Sequence, residues 1–260
     1  MAQTPKTILH EEDLHTVGEA LNQLTFMGAH SETLISQLNV KMEMTYLSAP
    51  RRKSDYKLIR KLKRNPVQRE DKLEWSIWNT WNTEDAKSGF VDECRFIQTY
   101  QMPLRRTNGD ESWGSIDLIG VSSGFLPVVL ELKRGGSEET PLRMIIEALA
   151  YAIAVRKSWN EGNLRDEWIA AVSGAEGVAR TLLEVPIIGI APKPYWNTKI
   201  GARNKRTAGK VPDDAWKPFG KLCQMIGDRG YPVSFWQFEV EEERDDLIGV
   251  DRWSQVKVPS

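Results

Sequence analysis

The sequence predicts a mixed α/β fold in which a central mixed β-sheet is flanked by helices. The main observation is the order of local patterns: one helix, three strands, a helix and a strand follow one another between residues 68 and 191. The second is size, because 260 residues with 40% apolar content can bury one large core. We expect residues 66–260 to form this domain, and residues 1–65 to form a small, mainly helical appendage that ends in a basic segment.

Hydrophobic spacing and turn residues place the individual elements. The longest helix should begin at Thr140 and Pro141, a capping residue followed by proline at the first helical position. The run around Ile187 is apolar throughout, as in a strand that is buried on both faces. The predicted elements are helix 68–81, strands 96–104, 115–121 and 127–133, helix 140–157, strand 185–191, helix 218–226 and strand 233–240.

Composition excludes several functional classes. Cys94 and Cys223 are far apart and form no CxxC motif, which predicts reduced thiols rather than disulfides or a cysteine zinc site. All three histidines, His10, His15 and His30, lie in the first thirty residues, which argues against most histidine-based chemistry in the main domain. The sequence contains no signal peptide and no apolar run that could span a bilayer, which indicates a soluble, cytoplasmic protein without a membrane partner.

Charge is unevenly distributed, although the net charge is only -1. Residues 51–64 contain eight basic residues and one acidic residue, and residues 193–210 contain six cations and no acid. Binding of a polyanion would therefore be local. The first segment could equally be a solvated helix face, whereas the second suggests a mobile loop near the active edge of the sheet.

Three charged residues on neighbouring strands point to catalytic chemistry. Alternate residues of a strand share a face, so Glu131 and Lys133 are neighbours roughly 7 Å apart along the chain. Asp117 lies in the middle of the preceding strand, where an unpartnered carboxylate would be costly. Two carboxylates brought together repel each other unless a cation lies between them, and Mg²⁺ suits such a site. The alternative is an ordinary ion pair at a strand end with an aspartate that caps a turn.

With this constellation, residues 68–192 resemble the PD-(D/E)XK nuclease superfamily, which has a restriction-endonuclease-like core. The resemblance implies that Asp117 and Glu131 bind the metal, that the backbone carbonyl of Leu132 is a further ligand, and that Lys133 is catalytic. It implies hydrolysis of phosphodiester bonds by in-line attack of a metal-activated water, with Mg²⁺ as cofactor and Mn²⁺ able to substitute. Ile116 stands where the motif has proline.

Some branches of the superfamily carry a glutamine and, four residues later, a tyrosine on the next helix. The corresponding residues here are Glu147 and Tyr151, with Arg143 one turn earlier on the same face. These residues could contact nucleic acid, or Arg143 and Glu147 could form a helix-stabilising ion pair. The resemblance also suggests an extra acidic ligand from the first helix, for which Glu74 is best placed and Glu70 is the neighbour one turn earlier.

The basic segment 193–210 supplies further candidates for nucleic-acid binding, namely Trp196, Lys199 and Arg203. The other tryptophans are expected to be packing groups. DNA is favoured over RNA as the substrate, and a homodimer would suit cleavage of both strands of a duplex. Two other functions stay open: a catalytically inactive nuclease fold that binds nucleic acid, and an interaction scaffold that uses the acidic residues 239–246.

Overall fold

The predicted mixed α/β architecture is confirmed in a computed structural model of the protein. The structure describes residues 58, 69–82, 91–103, 115–139, 141–199, 213–240 and 250–257. The predicted appendage, its boundary near residue 65, most of the basic segment 51–64 and Arg203 lie outside the described residues. None of the helices in the described ranges is long and apolar enough to cross a membrane.

Five helices and six strands are described, with one 3₁₀ turn at Ala175–Gly177 before β4. The helices are α1 Arg69–Trp81, α2 Pro141–Asn160, α3 Asn163–Ala171, α4 Lys193–Lys199 and α5 Asp213–Gly227. The strands are β1 Phe96–Pro103, β2 Ser115–Val121, β3 Pro127–Leu132, β4 Ile187–Pro192, β5 Val233–Val240 and β6 Val250–Gln255.

The strands form one sheet in chain order, β1-β2-β3-β4-β5-β6. β1, β2 and β3 are joined antiparallel, β3, β4 and β5 are parallel, and β6 returns antiparallel to β5. The parallel step from β3 to β4 needs a long crossover, which α2 and α3 provide. The two central strands are buried along their whole length, as the apolar run around Ile187 predicted.

Helices cover both faces of the sheet. α1 packs mainly on β1 and contributes Leu73 and Ile77 to a core with Leu118 and Leu130. α2 packs on β3 and β4 over the other face, where Val129 and residues of α3, α4 and α5 complete the larger core. α2 is nearly all buried because it lies between the sheet and α3. Alternating strand residues therefore reach two separate apolar layers.

A close approach of α2 to β4 depends on Gly189. A Cβ atom at this position would lie 2.5 Å from Met144 Sδ of α2 and 2.8 Å from Phe235 Cδ1 of β5. Gly189 pairs with Glu131 of β3, so the helix lies close to the sheet in the row that contains this glutamate. A larger residue would push the helix away from it.

Cys94 is buried beside a second close-packed glycine. Its Sγ donates a hydrogen bond to the carbonyl oxygen of Phe96 at 3.2 Å and lies where a Cβ on Gly120 would clash. Burial raises the pKa of the Cys94 thiol to about 12. Both cysteines are reduced thiols, as their spacing predicted.

Several expectations about elements were wrong. Lys193–Lys199 is a helix rather than the start of a mobile loop, because Pro194 lies at its second residue, where the missing N–H costs nothing. α5 begins at Asp213, five residues before the predicted start at Pro218. α3 and β6 were not predicted: α3 buries only Leu164 and Trp168, which is too weak a pattern to detect.

We predict that Gly189→Ala lowers the free energy of unfolding by about 1–3 kcal/mol, because Met144 and Phe235 must move to admit the methyl group. Urea denaturation monitored by circular dichroism measures the change. Gly177→Ala is the matched control, since its Cβ would meet no atom within 4 Å. Equal destabilisation by the two substitutions would contradict the close-approach argument.

Candidate active site

Asp117 and Glu131 face each other across β2 and β3. The strands pair in the register Leu118 with Leu130, and the next step places Asp117 opposite Glu131. The backbone N–H of Leu132 donates to Asp117 Oδ2 at 2.8 Å. Opposite residues of an antiparallel pair have Cβ atoms about 5 Å apart. The adjacency on which the predicted acidic pair depends is therefore present.

Lys133 follows β3 and lies inside a group of carboxylates. Its backbone N–H donates to Ile190 of β4 at 3.0 Å, which fixes the residue at the end of the strand. Its Nζ lies 2.8 Å from Glu131 Oε1, 2.8 Å from Glu139 Oε2 and 3.2 Å from Glu147 Oε2. An ammonium group has three N–H donors, so the three carboxylates can use all of them.

Helix α2 brings the other predicted residues to this group. Tyr151 O–H donates to Glu147 Oε1 at 3.4 Å, one turn along the helix. Arg143 Nε lies 3.1 Å from Glu139 Oε1. Glu147 thus bonds to Lys133 and Tyr151. Arg143 pairs with Glu139, which precedes the helix, instead of forming the alternative pair with Glu147 within the helix.

Helix α1 contributes Glu74 from the opposite face of the sheet. Gln101 of β1 donates its Nε2 to Glu74 Oε2 at 2.5 Å, and Glu74 is buried. Gln101 has a φ of 49°, a conformation that non-glycine residues rarely adopt. The pairing of β1 with β2 places Gln101 across from Asp117. Glu74 is therefore the better of the two acidic candidates on α1, because Glu70 is less buried.

Burial and mutual repulsion alter the protonation of this group. Burial raises the pKa of Asp117 to about 7, against an ordinary 3.8, although Lys133 and the Leu132 N–H oppose the rise. Burial and the charge of Asp117 raise the pKa of Glu131 and of Glu74 well above the usual range. Burial lowers the pKa of Lys133, but the surrounding carboxylates outweigh it and raise the value well above normal. The raised pKa values mean that Asp117, Glu131 and Glu74 favour an added proton or a bound cation.

The donor set fits a hard divalent cation. Glu131 Oε2 is buried and accepts no hydrogen bond from the part of the chain that the structure describes. Within the same residues, no three His, Cys, Asp or Glu side chains are arranged to hold a metal. Mg²⁺ does not need such a group, since it usually takes one or two carboxylates and keeps several waters. Asp117 and Glu131 supply that number. The N–H and C=O of one strand residue point to the same side, so the Leu132 carbonyl, like its N–H, is directed towards β2.

Sequence reasoning missed Glu139 and Gln101. Glu139 lies in the loop between β3 and α2, and the only sequence signal is its four-residue spacing from Arg143. Burial raises the pKa of Glu139, but Lys133 and Arg143 outweigh it and lower the value. No local pattern marks Gln101, because its role depends on the pairing of β1 with β2.

The nucleic-acid candidates after β4 are placed away from solvent. Trp196 is 2% exposed, its Nε1 donates to the Trp236 carbonyl at 3.1 Å, and its ring packs between Tyr195 and Phe235. A base cannot stack on a ring in that position without local rearrangement. Lys199 is also buried and donates its Nζ to the carbonyl oxygen of Glu138 at 3.2 Å. Both residues support the fold at this end of the sheet.

Asp117→Asn should stabilise the metal-free protein at high pH. Because the pKa of Asp117 is raised from 3.8 to about 7, the folded state holds its proton more tightly, and the free energy of unfolding falls as pH rises through that window. Asparagine carries no charge. We expect the excess in Tm over wild type to be smallest near pH 4, to grow as pH rises to about 7, and to level off above that at several degrees.

Differential scanning fluorimetry in EDTA across this pH range measures the effect. Asp92→Asn, at an exposed turn, is the control and should leave the pH profile unchanged. A Tm difference for Asp117→Asn that did not grow with pH would show that the pKa of Asp117 is not raised in the folded protein.

Comparisons with known proteins add nothing to this geometry. No family model matches the chain, and neither the comparison with curated proteins nor that with solved structures gives a match. The residues around Lys133 and their chemistry are therefore the basis for inferring the function of this protein.

Proposed function

We propose that this protein is a metal-dependent nuclease of the PD-(D/E)XK kind that hydrolyses phosphodiester bonds, with DNA favoured as substrate. The observation that supports this most directly is the row formed by Asp117 and Glu131 on paired strands, with Lys133 hydrogen-bonded to Glu131 at 2.8 Å. A half-buried Asp117 and a buried Glu131, both with raised pKa values, and a neighbouring cation suit metal-assisted attack on a phosphate.

Each residue has a distinct part in this proposal. Asp117 and Glu131 would hold Mg²⁺ or Mn²⁺, which when bound would stabilise negative charge on the phosphate and acidify the attacking water. Asp117 is oriented by the Leu132 N–H, and Glu131 by Lys133. Lys133 keeps its proton, because its pKa is raised, so it acts by orienting an oxygen and by stabilising developing charge.

Glu147 and Tyr151 act through Lys133 in this proposal. Glu147 accepts from Lys133 Nζ at 3.2 Å and from Tyr151 O–H at 3.4 Å, and all three residues are buried. The helix therefore limits the orientations that the lysine side chain can adopt. A glutamate in place of the glutamine that some branches of the superfamily carry is consistent with this role, since a carboxylate holds an ammonium more strongly than an amide does.

We expect the full-length protein to cleave DNA in the presence of Mg²⁺ or Mn²⁺ and to lose at least about 100-fold in rate on Lys133→Ala or Asp117→Asn. Gel-based cleavage of linear and circular DNA, with an RNA of the same sequence in parallel, measures activity and substrate class together. Lys221→Ala, an exposed lysine on α5, is the control for loss of a positive charge. Equal cleavage by wild type, Lys133→Ala, Asp117→Asn and Lys221→Ala would contradict the roles proposed for Lys133 and Asp117.

A specific observation favours a second candidate, an inactive nuclease fold that binds nucleic acid. The three donors of Lys133 are already matched by carboxylates, which leaves the lysine without an available N–H for a substrate. Calorimetric titration with Mn²⁺ separates the two functions. The nuclease requires Mn²⁺ binding by wild type that Asp117→Asn abolishes, whereas the inactive module predicts DNA binding that survives this substitution and no cleavage.

A further inference from the structure

Lys133 must exchange one of its partners before it can contact a substrate. Its three N–H donors are used by Glu131, Glu139 and Glu147. The exposed fraction of the side chain is 2% for Glu131 and 10% for Glu147, but 39% for Glu139. Glu139 is thus the partner that solvent reaches, and it can leave without moving a helix or a strand.

Glu139 joins two cations with its two oxygens. Oε2 lies 2.8 Å from Lys133 Nζ, and Oε1 lies 3.1 Å from Arg143 Nε. A phosphate diester also presents two anionic oxygens on one centre, and Arg and Lys are the usual partners of phosphate. The carboxylate of Glu139 therefore presents to Lys133 and Arg143 the same two anionic oxygens that a phosphate diester would present.

The loop that carries Glu139 is anchored by its backbone. Tyr195 of α4 donates its O–H to the Glu139 carbonyl at 3.1 Å, and Lys199 donates to the preceding carbonyl of Glu138 at 3.2 Å. The Glu139 N–H donates to Ser137 Oγ at 3.2 Å. Because α4 holds the carbonyl groups of Glu138 and Glu139, Glu139 can change partners by rotation of its side chain alone, while the loop stays in position.

We propose that Glu139 is an internal substitute for substrate, which blocks a phosphate-binding position formed by Lys133 and Arg143 until a phosphate of the nucleic acid displaces it. The inference rests on the proposed function for the identity of the ligand. It adds to that function a binding position and a residue that controls access to it. One anion replaces another, so Glu131 and Glu147 keep their buried partner throughout the exchange.

Glu139→Gln tests the proposal, because glutamine keeps the shape and removes the competing charge. Binding of a short fluorescein-labelled DNA, duplex or single strand, is measured by fluorescence anisotropy in EDTA, where metal-dependent cleavage does not occur. We expect the affinity of Glu139→Gln to rise by about threefold to tenfold. The slope of log K against log salt should steepen by about one, because a counterion now occupies the position in the unbound protein and is released on binding.

Two controls separate displacement from a general change in charge. Glu138→Gln alters net charge equally on the same loop, but only the backbone of Glu138 is anchored there, and it should leave the salt slope unchanged. Adding Arg143→Gln to Glu139→Gln should remove the gain in affinity. Circular dichroism of each variant verifies folding.

Each outcome decides the proposal. The proposal is overturned if Glu139→Gln binds DNA no more tightly than wild type, or if neither protein binds DNA. It is also overturned if Glu138→Gln shows the same gain in affinity. Failure of the nuclease proposal looks different, because a protein that never cleaves DNA can still show the predicted gain in binding. Conversely, an active nuclease whose Glu139→Gln variant binds no better refutes only this inference.

Discussion

The ammonium group of Lys133 offsets the charges of carboxylates that arrive from three separate parts of the chain. Glu131 comes from β3, Glu139 from the following loop and Glu147 from α2. Removing a carboxylate from water is costly unless a counter-charge accompanies it, and here one cation serves several acids. Packing of α2 on the sheet and formation of the site therefore depend on each other. Both are possible because Gly189 has no side chain to keep α2 away from the sheet.

The local sequence predicted most of the fold because several elements have strong periodic patterns. β2 and β5 have the predicted bounds, β1 and β3 end one residue earlier than predicted, and β4 begins two residues later and ends one residue later. α2 begins at the predicted proline and extends three residues further, to Asn160, before Gly162 with a φ of 88°. Elements stabilised mainly by tertiary contacts were missed, such as β6, which pairs only with β5 among the described strands.

The site was predictable to the extent that it depends on strand geometry. Alternation within β3 places Glu131 beside Lys133, and a short hairpin places Asp117 across from them. The position of Glu139 depends on the conformation of its loop, and that of Gln101 depends on the register of β1. Local sequence patterns predict neither feature. Trp196 illustrates the opposite error: tryptophan suits both packing and stacking, and only the neighbours Tyr195 and Phe235 show that packing applies.

The buried thiol beside Gly120 has a practical consequence for measuring motion in this protein. Cys94 lies two residues before β1, its Sγ donates a hydrogen bond to the Phe96 carbonyl oxygen, and its high pKa leaves almost no thiolate at neutral pH. An alkylating reagent can react only when this edge of the sheet opens. The rate at which Cys94 is modified therefore reports local opening of β1, the strand whose Gln101 side-chain amide donates to Glu74. No engineered cysteine is needed for this measurement.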